Sequence, residues 1–267
     1  MITHYKKYAL LYSGGFESFC SLISLIDQGI TPKIIYIKSG SEYEDIEFKK
    51  ARDGILFLQD KFKIDLHLEN NFILSKSLDL NSFLIDEKTS FVPFRNLYFI
   101  LNVINELWSI GLGLDNANNR LSIILGYNKD DRVHDSGDTF CNNVNTLLRD
   151  MISTKIQAKI QVESLFSNYS KLSMVQYVMQ YGITRDELEK YVFSCYHPVD
   201  GNECLNCKAC FRKNVILHSI GIDRPFSNEE IIKETKSSID NYLTNDRKYS
   251  TLSYLKYLES LTNNKED

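Results

Sequence analysis

An unbroken apolar stretch, residues 8–12 (Tyr-Ala-Leu-Leu-Tyr), runs into Ser13-Gly14-Gly15, and a helical pattern begins at the next residue. Phe16, Phe19, Cys20, Leu22, Ile23 and Ile26 recur at helical spacing, and Gly29 closes the segment as a C-cap. A buried strand, a glycine turn and a helix is the opening of a βαβ unit. The pattern repeats: it predicts a second strand over 33–37, a helix over 44–59 and a third strand over 63–67. This rhythm predicts an α/β domain with a parallel sheet covered by helices. Farther on, 95–108 reads as a strongly apolar helix, and 121–125, followed by Gly126, as a fourth strand. Residues 139–151 and 171–181 read as further helices. Thr184-Arg185-Asp186-Glu187 and Ser227-Asn228-Glu229-Glu230 both have capping-box form. The second opens a C-terminal helix, and 237–267 reads as a polar, tyrosine-rich helical appendage. The domain reading is 1–223 as the α/β domain and 224–267 as a C-terminal helical extension.

Composition decides how the six cysteines are read. Hydrophobic residues are 43% of the 267 and charged residues 25%, the balance of a globular chain able to bury a core without disulfides. The net charge of −4 argues against a general nucleic-acid coat. No signal-peptide pattern stands at the N-terminus, and no apolar run approaches the roughly 20 residues of a membrane span. The expectation is a cytoplasmic protein, in which clustered cysteines are metal ligands or catalytic groups before they are disulfides.

Cys195, Cys204, Cys207 and Cys210 form such a cluster, C-x8-C-x2-C-x2-C. Four thiolates suit one tetrahedral Zn2+, and the closed ligand set makes it structural. An iron–sulfur cluster or disulfides are the other readings of the same spacing. Cys20 and Cys141 lie outside the cluster and read as small buried apolar residues. The glycine loop, Ser13-Gly14-Gly15-Phe16-Glu17-Ser18, suits an anion: glycines let the backbone approach a phosphate, and the helix aims free N–H groups at it. It lacks the spacing and lysine of a Walker A loop, and it is not G-x-G-x-x-G. Alone, it reads equally as a plain βα turn.

Together the two motifs resemble one family, the 7-cyano-7-deazaguanine synthases of the N-type ATP pyrophosphatase (PP-loop) superfamily. Three further segments are similar: Phe91-Val92-Pro93-Phe94-Arg95-Asn96 to the family's Val-Pro-Gly-Arg-Asn, Gly126 through Asp131, His134-Asp135 and Phe140 to its Gly…Asp…Tyr-Pro-Asp…Phe, and Lys171 at a helix start. The resemblance spans about residues 8–223. It implies a doubly wound, adenine nucleotide alpha hydrolase-like fold with a C-terminal zinc knuckle. It implies an ATP-dependent carbon–nitrogen ligase that adenylates 7-carboxy-7-deazaguanine, releases AMP, and gives amide and then nitrile with ammonia. Ser13, Gly14, Gly15, Phe16, Glu17 and Ser18, with Asn96, would then bind ATP. Arg95, Asp131, Asp135 and Lys171 would form the catalytic group. ATP, Mg2+ and structural Zn2+ are the implied cofactors, and a homodimer the implied assembly.

The departures from the family pattern leave the nucleotide and zinc ends in place and fall mostly on the expected substrate rim. Glu17 stands for an aspartate, Phe94 for a glycine, and Gly40-Ser41-Glu42-Tyr43 for Gly-Gln-Arg-His. Val133-His134-Asp135-Ser136-Gly137 has lost a cysteine and an arginine. Phe94 is expected to remove backbone freedom and fill space. An altered rim permits another amine acceptor, including one on a nucleic acid or protein as in a phage-defence system, or a non-catalytic scaffold. A sulfur-transfer member would need a cysteine pair that Cys20 and Cys141 do not form. Arg95 could instead pair with a surface carboxylate, and His134-Asp135 could be an exposed loop. Glu42, Glu44, Asp45 and Glu47 read as a solvated helix start, Glu42 alone as a contact for a cationic amine. Trp108 reads as core, and Tyr242, Tyr249, Tyr254 and Tyr257 as packing for a partner or for the domain itself.

Overall fold

A computed structural model describes residues 6–76, 92–112, 114–131, 136–151, 155–243 and 248–263. The chain begins β1 (Lys6–Leu11), α1 (Phe16–Asp27), β2 (Lys33–Lys38), α2 (Glu44–Phe62), a one-turn α3 (Leu68–Asn71) and β3 (Phe72–Lys76). It continues α4 (Arg95–Ser109), β4 (Arg120–Ile124), α5 (Asp138–Asp150), β5 (Lys159–Glu163), α6 (Lys171–Met179) and α7 (Arg185–Tyr191). The last helices are α8 (Lys208–Ser219), α9 (Glu229–Leu243) and α10 (Lys248–Asn263).

The five strands form one parallel sheet in the order β3-β2-β1-β4-β5. The strands read as nearly continuous apolar runs because both faces are covered. Leu10, Ile34, Tyr36 and Ile124 point to a core shared with α1, α2 and α6. Their neighbours Ala9, Ile35, Ile37 and Ile123 point the other way, to a core shared with α4 and α5. The connecting helices therefore change face between β1 and β4. A doubly wound sheet opens a crevice at the carboxyl ends of its strands at that switch. The fold is the α/β one the rhythm predicts.

Two local expectations are corrected, and one strand is added. The third strand is not 63–67 but Phe72–Lys76. Lys63 and His67 both take left-handed backbone, and the Asp65 carboxylate accepts from the His67 amide at 2.7 Å, so 63–67 is a turn. β5 sits at the sheet edge, where its Lys-Ile-Gln-Val-Glu alternation gives only a weak strand signal. At α9 the cap is Asn228, whose side chain accepts from the Ile231 amide at 3.1 Å. Ser227 instead hydrogen-bonds Asn206. The Thr184–Glu187 box is present with both of its bonds.

A third cluster joins the cysteine region to the C-terminal helices: Phe211 packs against Phe226 and Tyr257, and Tyr257 is 1% exposed. Cys20 and Cys141 are buried, as expected. Trp108 is 42% exposed and so is not core. The side chains of Tyr242 and Tyr249 lie outside the described residues. Among the described residues no helix is long and apolar enough to cross a membrane.

Candidate active site

A cavity of about 680 Å³ opens at the carboxyl ends of β1, β2 and β4, within the size range of small-molecule sites. Its middle is the glycine loop. Gly14 has φ +78°, and a Cβ there would stand 2.9 Å from the Ala51 Cα, so only glycine lets α2 lie this close. The Ser18 hydroxyl accepts from the Gly14 amide at 3.1 Å and donates to the Gly15 carbonyl at 3.2 Å, which fixes the turn. No side chain caps α1 at Gly15. The first-turn amides of the helix therefore face the cavity with its positive dipole end, an arrangement that fits phosphate. The Phe16 side chain is 3% exposed and belongs to the core, so it would meet a nucleotide only through backbone.

On the β4 side the structure brings Glu17, Asp131 and Lys171 together. Lys171 Nζ lies 2.6 Å from Glu17 Oε1, which also accepts from Asn128 Nδ2 at 2.9 Å. Asp131 accepts from the Asn128 amide at 3.0 Å. Gly126 makes room here, since a Cβ would fall 3.0 Å from that of Glu17. Burial, with the charge of Glu17, lifts the Asp131 carboxyl to about 6 against the pull of Lys171. Burial alone would lower the Lys171 ammonium, yet Glu17 and Asp131 hold it above its ordinary value. Two carboxylates beside a lysine at a phosphate loop offer hard oxygen ligands that fit Mg2+. Arg212, on α8, lines the same end and was not singled out by its sequence context. Asp135 and His134 lie outside the described residues.

On the β2 side, Arg95 and Asn96 reach the cavity from the first turn of α4. Phe94 precedes them with φ +57° and 74% exposure. It thus takes the left-handed conformation for which a glycine is suited, and it fills no space. Glu47 also faces the cavity, which corrects its reading as part of a solvated helix start. The Tyr36 hydroxyl donates to Glu47 Oε2 at 2.8 Å. Burial pushes the Glu47 carboxyl up to about 7, against the Tyr36 bond and the field of Arg95. Its place in a run of four acids hid it: α2 starts one turn after β2, so position 47 turns inward while Asp45 stays outside.

The cysteine knuckle is the third wall. The four sulfurs lie within 4.8 Å of one another, and Cys204 and Cys210 are 3.9 Å apart. A tetrahedron of Zn–S bonds near 2.3 Å has edges of roughly 3.8 Å, so the residues fit one zinc ion. Backbone amides of Cys204 and Cys210 point at the sulfurs of Cys195 and Cys207, at 3.2 and 3.5 Å. Such donors favour thiolates. Behind the knuckle, the buried Lys213 ammonium bonds both Glu203 oxygens at 3.0 Å, and Arg224 bonds the same carboxylate at 2.8 Å. Glu203 in turn accepts from the Ser194 amide. This holds the strand before Cys195 in place, and its Phe193 amide donates to the Gly14 carbonyl at 3.0 Å. The knuckle is thus hydrogen-bonded to the phosphate loop.

The family model described as Queuosine biosynthesis protein QueC matches residues 7–221. The chain belongs to the QueC family. Membership places it among ATP-using, ligase-type PP-loop synthases of queuosine biosynthesis. Residues 222–267 lie beyond the matched region. Among solved structures the chain is similar to the predicted subunit of a tRNA methyltransferase from Methanocaldococcus jannaschii. That similarity has 16% identity and a TM-score of 0.37, over 66% of this chain and 75% of that one.

Proposed function

We propose that the protein adenylates the carboxylate of a 7-deazaguanine acid such as 7-carboxy-7-deazaguanine and passes the activated acyl group to nitrogen. The observation that carries this reading is the uncapped α1 terminus and its glycine loop beside the Glu17–Lys171–Asp131 group, in a chain of the QueC family.

In the first step the substrate carboxylate oxygen attacks the α-phosphorus of ATP. The bond to the bridging oxygen breaks, and pyrophosphate leaves. The free amides of the α1 first turn and the Ser13 hydroxyl hold the phosphates, with Ser18 locking the loop, while Lys171 and Arg212 offset charge building on the leaving group. Mg2+, when bound, supplies further neutralisation, and Glu17 and Asp131 are the side chains that would hold it. In the second step ammonia attacks the carbonyl carbon, a C–N bond forms, AMP leaves with the C–O electron pair, and nitrogen gives up a proton. Asp131, whose carboxyl is lifted to about 6 when no cation sits on it, suits that proton acceptance near neutral pH once pyrophosphate and its cation have left. Adenylating the amide oxygen and eliminating AMP and a proton would give the nitrile. Arg95 and Asn96 would orient the acid, and Zn2+ on the four cysteines would hold the knuckle wall.

One observation favours a bulkier amine as acceptor. A second cavity of about 310 Å³, partly walled by α9 and α10, shares Asp131, Lys171 and Arg212 with the first. It offers a separate approach to the same charged group.

The test incubates the zinc-loaded protein with ATP, Mg2+ and 7-carboxy-7-deazaguanine, with and without ammonium, and reads nucleotides and product masses. AMP with amide or nitrile supports the ammonia reading. AMP with arrest before nitrogen transfer, relieved by a supplied amine, supports the second reading. ATP bound but never cleaved to AMP in the presence of the acid sinks both.

A further inference from the structure

Glu47 is not needed by any step above, yet it occupies the cavity in an unusual condition. It is a carboxyl in a cavity wall that also carries apolar and aromatic residues, among them Val92, Phe99 and Tyr43. One oxygen takes the Tyr36 hydroxyl at 2.8 Å. The other, Oε1, has no hydrogen-bond partner among the described residues. An ionised carboxylate is acceptor-only, with about four lone-pair sites on two oxygens. Its desolvation in such a place is costly unless donors meet it. The charged and titratable groups facing it are Tyr36 from β2, Tyr43 and Glu44 from α2 and Arg95 from α4. The Tyr36 hydroxyl bonds Glu47 and, at 3.2 Å, shares its proton with the Glu44 carbonyl, and among the described residues no other hydrogen bond brings a donor to the Glu47 carboxyl.

We propose that Glu47 is the specificity residue for the base of the acid substrate, its carboxylate accepting from the adjacent ring N–H and exocyclic NH2 of a 2-amino-4-oxo pyrrolopyrimidine while Tyr36 holds it in place. This rests on the substrate class proposed above. The donor pattern separates the two rings that the cavity must sort. A guanine-type edge presents two donors side by side, matching two acceptor oxygens. An adenine edge presents one NH2 beside a ring nitrogen whose lone pair would face the second oxygen. The preference is therefore for the acid's base over that of ATP. Binding would also bring the carboxyl to its ionised form, so a proton leaves as the base enters. Its position one turn into α2, which follows β2, puts this reader on the opposite side of the glycine loop from Asp131 and Lys171.

The experiment is calorimetric titration of the full, zinc-loaded chain with three probes: 7-carboxy-7-deazaguanine, its 2-desamino analogue, and ATP with Mg2+ but no acid. Wild type is expected to bind the 2-desamino analogue at least roughly tenfold more weakly than the parent acid, the scale of one hydrogen bond to a charged group. Glu47→Gln, which places an NH2 against the base's donors, should weaken the parent acid roughly 30- to 100-fold, lose the discrimination against the analogue, and leave ATP within about threefold. Tyr36→Phe gives a smaller loss, roughly three- to tenfold, with the discrimination kept. Acid affinity of wild type should fall as pH drops below about 7 and level above it, while Glu47→Gln is flat. A structural role alone would not move the analogue ratio or the pH profile. Glu47→Gln weakening ATP but not the acid would assign the residue to adenine and overturn the proposal. So would equal binding of the two acids by wild type. If wild type binds ATP and no acid, the proposed function itself fails and this inference with it. Melting curves and zinc content of both variants show that they fold.

Discussion

The two ends of the cavity are built by different means. At the phosphate end the backbone does the work: glycines at Gly14 and Gly126, the bare first turn of α1, and hydroxyls that lock the turn. At the base end side chains do it: Tyr36, Tyr43, Glu47 and Arg95, delivered by β2, α2 and α4. A backbone site tolerates almost no change where Cβ atoms cannot fit, and its residues sit together in sequence. A side-chain site can be re-cut one residue at a time. That difference fits the departures from the family pattern: Gly40–Tyr43 and Phe94 differ, and within the loop only the side chain of Glu17 does, while Ser13-Gly14-Gly15 and Ser18 stay as they are. The knuckle touches both ends: Phe193 bonds the Gly14 carbonyl, and the Tyr196 ring lies 5.8 Å from that of Tyr43.

The largest effect is therefore expected from the shared wall. Stripping the metal with a chelator should cost roughly 5 kcal/mol or more of stability. It should erase ATP binding along with acid binding, read by calorimetry and by loss of the cooperative melt. If ATP still binds the metal-free chain at full strength, the two ends are not coupled through the knuckle. Next, Lys171→Ala leaves Glu17 and Asp131 facing each other without their cation. AMP formation should fall by about 3–4 kcal/mol of transition-state stabilisation, and the acid limb of its pH profile should move above about 6. An unmoved limb would remove Asp131 from the proton-accepting role.

Gly14→Ala strains a left-handed residue and presses on Ala51. About 2–3 kcal/mol of stability should disappear in denaturant melts, with ATP weakened at least roughly tenfold and the acid spared more than ATP. Glu47 gives a smaller, pH-dependent effect. Its folded carboxyl sits near 7 and its unfolded one near 4.5, so the folded state is favoured most below 4.5 and loses that support as pH rises through 7. Glu47→Gln should match wild type near pH 4.5 and be more stable near pH 8 by about 1–3 kcal/mol, as measured by urea midpoints across pH. Identical pH curves would show that the carboxyl is not desolvated. The smallest change is Phe94→Gly, which relieves the left-handed strain of an exposed ring and should stabilise by up to about 1 kcal/mol. Its catalytic constants should hardly differ from wild type.

The parts legible from sequence are those whose signal is local. The β1–glycine–α1 unit, β2, α4 and the cysteine spacing each announce themselves within a dozen residues, and the structure places Ser13, Gly15, Glu17, Ser18, Arg95, Asn96, Asp131 and Lys171 around one cavity, with Gly14 turned toward Ala51. What escaped depends on contacts made across the chain. Residues 63–67 look like a strand because Ile64 and Leu66 alternate with polar neighbours, but Lys63 and His67 turn left-handed, and β2 pairs with 72–76 instead. Glu47 and Arg212 have no local mark of function; one hides among surface-like acids, the other behind a cysteine motif that explains its neighbourhood by itself.

The bond from the Phe193 amide to the Gly14 carbonyl joins the β1–α1 turn to a segment far later in the polypeptide. Until that segment is made and its cysteines are gathered, the phosphate loop lacks one of its supports. A nascent or proteolytically shortened chain can complete β1, α1 and β2 and still present an unfinished nucleotide site. The order in which the chain gathers its cysteines thereby sets when that loop is finished.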